Sequence, residues 1–284
     1  TSNFARESKK LVPANKYTVE QLTDIYNQTR VDYMVPMPMN PARLTEYIAL
    51  YQVDLAQSIV VTGEGESLGL AMLAFRDKRS WITRMGLVTN TRGRGVGQFL
   101  LNGLLLNSDN LMIEKNMLEV IKGNKPALNL FKKINFTEQR ELLILRPAPS
   151  EVPQPSSKVT WLEHDECLEH LVGREDSPAW TNQTESLDHA KGINGLRVTT
   201  VEGKTGWLVF QRTMFNLSRI LFCTGDNSSE TMKEMLQHLH GEYPNLDTIT
   251  ENIPADDPHM PAFEELGYIE TFRRIEMYRF PYAA

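Results

Sequence analysis

Cysteine and long apolar runs are both scarce in this chain of 284 residues. Cys167 and Cys223 are its only cysteines, too few for a disulfide framework, so we expect a reducing, cytoplasmic compartment. No apolar run approaches the roughly 18–20 residues that a membrane span needs, and residues 1–20 hold no signal-like hydrophobic core. The sequence therefore predicts a globular protein with no membrane partner.

Clusters of basic residues are also missing. No stripe of Arg and Lys interleaved with aromatic residues is present, so we expect no nucleic-acid partner. Charge is nevertheless uneven, because residues 1–150 hold 19 Lys and Arg against 14 Asp and Glu, and the remainder holds 11 against 22. The basic half could attract a polyanionic ligand and the acidic half a cation. Drift in surface composition would give the same pattern.

Histidine is absent from the first half of the chain, and all six histidines lie in the second. His164, Cys167 and His170 are spaced by three and could share one face of a helix. No fourth ligand accompanies them, so an exposed helix is a better interpretation than a zinc site, and we expect no metal. Cys223, within the apolar stretch "RILFCT", is expected to be a small buried side chain.

Proline is concentrated at one place. The stretch "RPAPSEVPQPSSK", 146–158, holds four prolines and three serines and has no periodic apolar pattern. That composition is typical of a stiff, extended linker. We therefore divide the chain into domains at 1–146 and 158–284, joined by a linker at 147–157.

Both halves alternate helical and strand patterns. In the first, Thr18 and Gln21 form a capping-box pattern, and a second helix is predicted from Pro41 to Tyr51. The second half repeats the order more weakly: "LFKKINFTEQRELLILR" corresponds to "AFEELGYIETFRRIEMYR", with Phe131 and Phe263 separated by 132 residues. The repeat predicts an α/β protein of two similar domains in tandem, each a twisted mixed sheet flanked by helices.

Glycine is densest in "RGRGVG", 92–97, which lies between a predicted strand and a predicted helix. The first turn of a helix has N–H groups without intrahelical partners and a positive dipole end, so this arrangement favours an anion. A Walker loop is excluded, because no Gly-Lys-Ser/Thr follows at the required spacing. A dinucleotide fingerprint fits poorly, because no acidic residue ends a second strand about 20 residues later.

The same loop resembles the Arg/Gln-x-x-Gly-x-Gly/Ala motif of the GCN5-related N-acetyltransferases (GNAT family). "MGLV" before it and "LEVIKGNKPALNLFKKINF" after it extend the resemblance, which covers roughly 15–146 well and 159–280 only by element order and "FEELGY". It implies acetyl-coenzyme A as donor, held by loop amides and by the backbone of the preceding strand. The cofactor-binding residues that it implies are Gly86, Leu87, Val88, Arg92, Gly93, Arg94, Gly95, Val96, Gly97, Gln98, Asn124 and Phe131.

The resemblance also implies direct transfer, in which a neutral amine attacks the thioester and the Leu87 N–H stabilises the oxyanion. Many members have Tyr where this chain has Phe131, which cannot protonate the departing thiolate. In the second half "TGDNSSE" replaces the glycine loop, so we expect no coenzyme A binding there. A non-catalytic acyl-coenzyme A sensor or interaction module is the alternative to an enzyme.

The acceptor is the least determined part of the sequence, because fold does not fix substrate. Glu119, within apolar "MLEVI", is a candidate general base with a pKa raised by burial, or a paired carboxylate at a strand edge. Residues 32–40 are either an adaptable acceptor wall or an ordinary packed loop. The candidate wall residues are Tyr33, Met34, Met37 and Met39. The acidic second half favours a small-molecule amine acceptor that is cationic; the sequence does not predict an oligomeric state.

Overall fold

A computed structural model describes residues 9–148, 151–174 and 177–282. Its helices are α1 (Val19–Gln28), α2 (Pro41–Tyr51), α3 (Val96–Asn110), α4 (Lys125–Lys133), α5 (His164–Val172), α6 (Thr184–Asp188), α7 (Ser229–Glu242) and α8 (Met260–Glu265). Its strands are β1 (Lys10–Pro13), β2 (Ile59–Gly63), β3 (Glu66–Arg76), β4 (Arg79–Leu87), β5 (Lys115–Ile121), β6 (Thr137–Pro147), β7 (Lys158–Leu162), β8 (Ile193–Thr199), β9 (Thr205–Arg212), β10 (Asn216–Thr224), β11 (Asp247–Thr248), β12 (Thr250–Pro254) and β13 (Tyr268–Arg279). No described helix is long and apolar enough to cross a membrane.

The chain divides into two compact units. Unit 1 comprises Thr1–Gln139 and Glu276–Ala284, and unit 2 comprises Arg140–Ile275. The divisions fall inside β6 and β13, whereas the sequence predicts a boundary at 147–157, of which residues 149–150 lie outside the described part. Composition points to the proline-rich segment, but the end of β13 belongs with the first unit because of tertiary contacts that composition does not record. One sheet has the strand order β1-β2-β3-β4-β5-β13-β6-β12, and the other β11-β10-β9-β8-β7.

The predicted helix starts are confirmed in unit 1. The Thr18 hydroxyl accepts a hydrogen bond from the Gln21 N–H at 3.3 Å, and the Gln21 side chain accepts one from the Thr18 N–H at 2.9 Å, which is a complete capping box. Helix α2 has the predicted bounds, with Asn40 as its N-cap and proline in its first turn. Local sequence therefore determines where these helices begin.

Helices α2 and α3 pack on opposite faces of the unit 1 sheet. Ser80 lies 3.3 Å from Ser108 of α3, whereas the neighbouring Trp81 packs 5.5 Å, between ring centroids, from Tyr51 of α2. Successive side chains of a strand point to opposite faces, so these two contacts assign one helix to each face. Asn116 completes the α3 side by donating to the Ser80 hydroxyl at 2.7 Å.

Strand β4 diverges from β5 halfway along its length. Their parallel pairing runs from Arg79 opposite Lys115 to Ile82 opposite Leu118, and no later pair is formed between these two strands. Beside the divergence, the register between β3 and β4 shifts at a bulge, where Arg84 has a left-handed φ of 51°. The result is a V-shaped opening in unit 1 whose vertex lies just beyond Ile82 and Leu118.

Unit 2 repeats these features, which confirms the tandem repeat predicted from the sequence. Its β9–β10 register also shifts at a bulge, where Arg219 has a φ of 53°. Asn135 after α4 and Gly267 after α8 are likewise both left-handed, with φ of 68° and 75°. The unit has its own core, which includes Phe210, Leu236 and Phe263. The fold is therefore α/β, with two mixed sheets of eight and five strands flanked by helices.

Candidate functional site

The glycine loop bends twice through left-handed backbone before α3 begins. Gly93 has φ 73° and Gly95 has φ 77°, a region that L side chains rarely adopt. Gly95 is the N-cap of α3, and its carbonyl accepts the N–H of Phe99 at 3.1 Å. The N–H groups of residues 96–98 therefore lie ahead of the intrahelical hydrogen-bond ladder. A Cβ at either glycine would meet nothing within 4 Å, so open space faces the loop.

Helix α3, the longest described helix, lacks the side-chain cap that four other helices have. Side-chain oxygens of Thr18, Asn40, Asn124 and Ser228 accept first-turn N–H groups at the starts of α1, α2, α4 and α7. The N-cap of α3 is glycine and has no such oxygen. Its first-turn amides and positive dipole end are thus left for an external acceptor, as at a phosphate site.

The two arginines of the loop, Arg92 and Arg94, have different surroundings. The Arg92 guanidinium donates two hydrogen bonds to the Asp32 carboxylate, each 2.8 Å, and two more to the carbonyls of Thr29 and Leu87. Hydrogen bonding with Arg92 is the main reason that the pKa of the Asp32 carboxyl lies below its usual value. Arg92 thus fastens the loop to the end of α1. Arg94 is exposed, and its carbonyl accepts a hydrogen bond from Lys9, a cation that the sequence analysis did not identify.

Two further glycines allow close packing around the loop. A Cβ on Gly97 would lie 3.2 Å from the Leu130 side chain of α4 and 3.3 Å from the Leu87 side chain of β4. A Cβ on Gly86 would lie 2.3 Å from the Thr29 hydroxyl oxygen. These residues let α4 and the end of α1 approach the loop and strand, so both positions have a packing reason beside the predicted cofactor role.

The end of β4 presents one predicted backbone group to the opening. The Val88 N–H donates to the Leu68 carbonyl at 2.9 Å, and the Val88 carbonyl accepts from Thr91, so both groups are engaged within the fold. The Leu87 carbonyl points away from β3, because it belongs to the same peptide unit as the Val88 N–H. Since the N–H and C=O of a strand residue point to the same side, the Leu87 N–H also faces away from β3.

Thr83 and Glu119 flank the vertex of the V-shaped opening, because they directly follow the last pair of β4 and β5. The hydroxyl of Tyr47 is in short hydrogen-bond contact with that of Thr83. Burial, more than any other cause, raises the pKa of Tyr47 to about 12, and the nearby charge of Glu119 adds to the rise. The Oε1 atom of Glu119 is shielded from solvent. A carboxylate and two hydroxyls therefore lie together where the strands part.

Arg84 adds a cation at this vertex, and nothing in the sequence analysis pointed to it. Its Nη1 donates to the Tyr26 hydroxyl at 3.0 Å, and its guanidinium lies 4.2 Å from the centre of the Tyr47 ring. Arg30 lies on the other side, with its guanidinium 4.9 Å from the Tyr26 ring and 4.3 Å from the Tyr33 ring. Tyr26 thus separates two arginines in the part of unit 1 where β4 opens.

The predicted residues of α4 are placed differently from one another. The Asn124 side-chain oxygen caps α4 by accepting the Ala127 N–H at 3.3 Å, and the residue is partly exposed. Phe131 is buried and packs against Phe136, with ring centroids 6.0 Å apart. Asn124 retains an amide group for a ligand, whereas Phe131 contributes mainly to the core of unit 1.

The candidate wall residues spread around the opening. Tyr33 contacts Arg30, and the Met37 sulfur lies 4.0 Å from Arg84 Nη1. Met34 is 56% exposed and lies near Gly123, after β5. Met39 is held by two backbone hydrogen bonds with the Asn27 side chain, at 2.8 and 3.0 Å. Tyr33 and Met37 are therefore the wall residues closest to the two arginines.

The corresponding loop of unit 2 satisfies its own amides. The Ser228 hydroxyl accepts the Thr231 N–H at 3.3 Å, and the Asp226 carboxylate accepts the Ser228 N–H at 3.1 Å. A cavity of about 130 Å³ lies elsewhere in this unit. The arginines that line it, Arg140 and Arg174, donate to backbone carbonyls of the same unit. The loop of unit 2 therefore has a carboxylate and an N-cap hydroxyl that accept its own N–H groups, whereas the first-turn N–H groups of α3 in unit 1 have no such acceptors.

The histidine and cysteine pattern of α5 does not form a ligand cluster. Cys167 is fully buried, and His170 stacks on Trp207 with ring centroids 5.4 Å apart. Among the described residues, no group of three His, Cys, Asp or Glu side chains could hold a metal ion. The prediction for Cys223 is wrong, because this thiol is exposed near the end of β10 rather than buried with the apolar residues around it.

Comparison with known proteins gives a family for most of unit 1. Residues 20–136 match the sequence model described as "Acetyltransferase (GNAT) family". No curated protein sequence matches the chain significantly.

Solved structures match the whole chain. A GCN5-related N-acetyltransferase from Sphaerobacter thermophilus superposes with a TM-score of 0.72 at 14% identity, over 97% of this chain and 96% of that one. A tandem GNAT protein from the clavulanic acid biosynthesis pathway gives 0.68 at 14% identity, over 98% and 100%. A GCN5-related N-acetyltransferase from Kribbella flavida gives 0.60 at 13% identity, over 98% and 72%. The chain thus has the fold of tandem proteins of this kind.

Proposed function

Because residues 20–136 match the GNAT acetyltransferase family, whose members are generally acyltransferases, we propose that this chain transfers an acetyl group from acetyl-coenzyme A to the amine of a small acceptor. The observation that carries the proposal is the uncapped start of α3. Open first-turn amides follow a left-handed glycine in this unit, and open space lies in front of them. The corresponding helix of unit 2, α7, is capped by the Ser228 hydroxyl, so we propose one coenzyme A site per chain.

The residues of unit 1 suit a phosphate-bearing thioester. The amides of Val96, Gly97 and Gln98 would hold the pyrophosphate, with Lys9 and Arg94 adding positive charge nearby. The Gly86 and Leu87 backbone would lie along the pantetheine arm, and Asn124 would contact it. When bound, acetyl-coenzyme A supplies an acyl thioester, and a thiolate is a good enough leaving group to depart without an acid at the position of Phe131.

Two groups of this chain serve the proposed transfer. Glu119 accepts a proton from the acceptor ammonium, directly or through water, which gives the neutral amine that can act as a nucleophile. The Leu87 N–H faces the opening and stabilises negative charge on the carbonyl oxygen. Tyr33, Met34, Met37 and Met39 form the wall of the acceptor site. The acidic composition of the second half is the reason to propose a cationic acceptor, and the two free cysteines are the reason to propose a reducing cytoplasm.

Two measurements on the full chain test the proposal. Titration calorimetry with coenzyme A is expected to give one site per chain. Incubation with acetyl-coenzyme A and a panel of amines is expected to release free thiol with at least one of them. Binding without turnover across a broad panel would favour the acyl-coenzyme A sensor. The lack of an acidic hydroxyl at Phe131 is the reason to consider that function. Two equivalent sites, or no binding, would contradict the proposal.

A further inference from the structure

Arg84 occupies a backbone position that arginine rarely adopts. Its φ of 51° lies in the left-handed region, at the bulge between β3 and β4. A bulge re-aims a side chain, and here Thr83 and Arg84 are adjacent in sequence yet both contact the tyrosines of α1 and α2. The strained backbone thus brings a guanidinium to the vertex of the opening, beside the proposed transfer site.

The Arg84 charge has no carboxylate partner in the described part of the chain. No described Asp or Glu oxygen lies within 4 Å of its guanidinium, which contacts the Tyr26 hydroxyl, the Met37 sulfur and two tyrosine rings. Its Nε is buried without a hydrogen-bond acceptor, and so is the Nε of Arg30. Native proteins seldom leave such donors unsatisfied, because an unpaired buried charge is costly. An anionic ligand would satisfy these donors.

Unit 2 provides an internal comparison. Arg219 occupies the same bulge with nearly the same φ. Its Nε donates to the Gln211 side-chain oxygen at 2.9 Å, and its Nη1 donates to the Thr181 carbonyl at 3.4 Å. Where no catalysis is proposed, the fold itself supplies acceptors to the guanidinium. In unit 1 the Nε of Arg84 has no acceptor. Arg219 is therefore a structural arginine, whereas Arg84 is available to a ligand.

We propose that the acceptor is a small amino acid, whose carboxylate binds Arg84 while its ammonium faces Glu119. This inference rests on the proposed function and names the substrate class of that site. Arg84 and Glu119 lie on the two strands that part at the vertex, each within two residues of their last pair, so a short molecule carrying both charges is the acceptor that matches them. The planar guanidinium, with its Nε and a second nitrogen, suits a carboxylate geometrically. Arg84 is the specificity-determining residue.

The test compares amino acids with their own amides. Thiol release from acetyl-coenzyme A is measured for a panel of α- and ω-amino acids, each paired with its carboxamide. A charge-assisted hydrogen bond predicts that the best acid exceeds its amide in kcat/KM by roughly 10- to 100-fold. Arg84→Asn is expected to reduce that ratio to near one by lowering activity on the acid alone, and Arg84→Lys to restore part of it. Asparagine tolerates the left-handed backbone, so this variant is expected to fold.

Arg219→Asn is the matched control, because it makes the same change at the same bulge of unit 2 and is expected to leave the ratio unchanged. A wild-type preference for amides, or equal losses on acid and amide in Arg84→Asn, would overturn the inference. Should no amine be turned over, the proposed function fails separately. The same amino acids are then titrated into protein saturated with coenzyme A. Binding that Arg84→Asn abolishes supports the inference, and no binding by any panel member refutes it.

Discussion

Replacing Gly95 by alanine separates the backbone role of the glycine loop from its ligand role. An L-residue at φ 77° costs about 1–2 kcal/mol of folding stability, whereas the added Cβ meets no atom within 4 Å. We therefore expect a folded variant whose melting temperature is lower by about 2–8 °C. The methyl group enters the space in front of the α3 amides, so loss of one charge-assisted hydrogen bond would weaken coenzyme A binding roughly 10- to 100-fold.

The matched control is Gly65→Ala in the turn between β2 and β3. Gly65 has φ 83° and likewise no neighbour within 4 Å of an added Cβ, so it carries the same backbone cost within the same unit. Calorimetry with coenzyme A and thermal unfolding are run on both variants. We expect the two variants to lose equal stability and only Gly95→Ala to lose affinity for coenzyme A. If Gly95→Ala loses stability but binds coenzyme A within twofold of the wild type, the loop is not the phosphate site.

Two further predictions concern titratable groups. Glu119→Gln is expected to lower kcat by roughly 10²- to 10⁴-fold, because the base is lost; a change below threefold would make Glu119 a structural carboxylate. Burial lowers the pKa of His240 to about 4, so the folded state resists a proton that the unfolded state accepts below about 6.5. Stability is thus lost as pH falls from about 6.5 to 4, by about 3 kcal/mol. The free energy of unfolding, measured with urea at pH 7.5 and 4.5, should differ less between the two pH values in His240→Gln than in the wild type. This variant keeps a side-chain partner for Tyr268. A pH difference equal to that of the wild type would contradict the assignment.

Local features of the fold were predictable from sequence, because short-range chemistry determines them. The capping box at Thr18 and the bounds of α2 each follow from a few neighbouring residues. The loop 92–97 is predictable for the same reason, since a left-handed N-cap favours glycine. The tandem repeat is predictable because its closing segments keep the same order of residue types.

Features that depend on distant residues were not predictable. Asp32 is separated by 60 positions from Arg92, so its ion pair with the loop leaves no sequence pattern. Arg84 is an arginine in a conformation typical of glycine or asparagine, at a bulge that no local sequence pattern marks. The placement of β13 depends on contacts more than 150 residues apart, such as Arg279 with Asn116 at 2.7 Å. Tertiary contacts decide each of these.

The end of β13 has a consequence for biosynthesis. Arg279 donates to the Asp109 carboxylate and to Asn116, and Tyr282 donates to the Asp109 carbonyl, so residues near position 280 complete a unit that begins at the start of the sequence. A nascent chain emerging from the ribosome cannot form these bonds until all of unit 2 has been synthesised. These bonds of unit 1 therefore form only after unit 2 has been translated, although most of unit 1 precedes unit 2 in the sequence. A gene fragment that ends at position 146 would encode the glycine loop without the strand end that completes its unit.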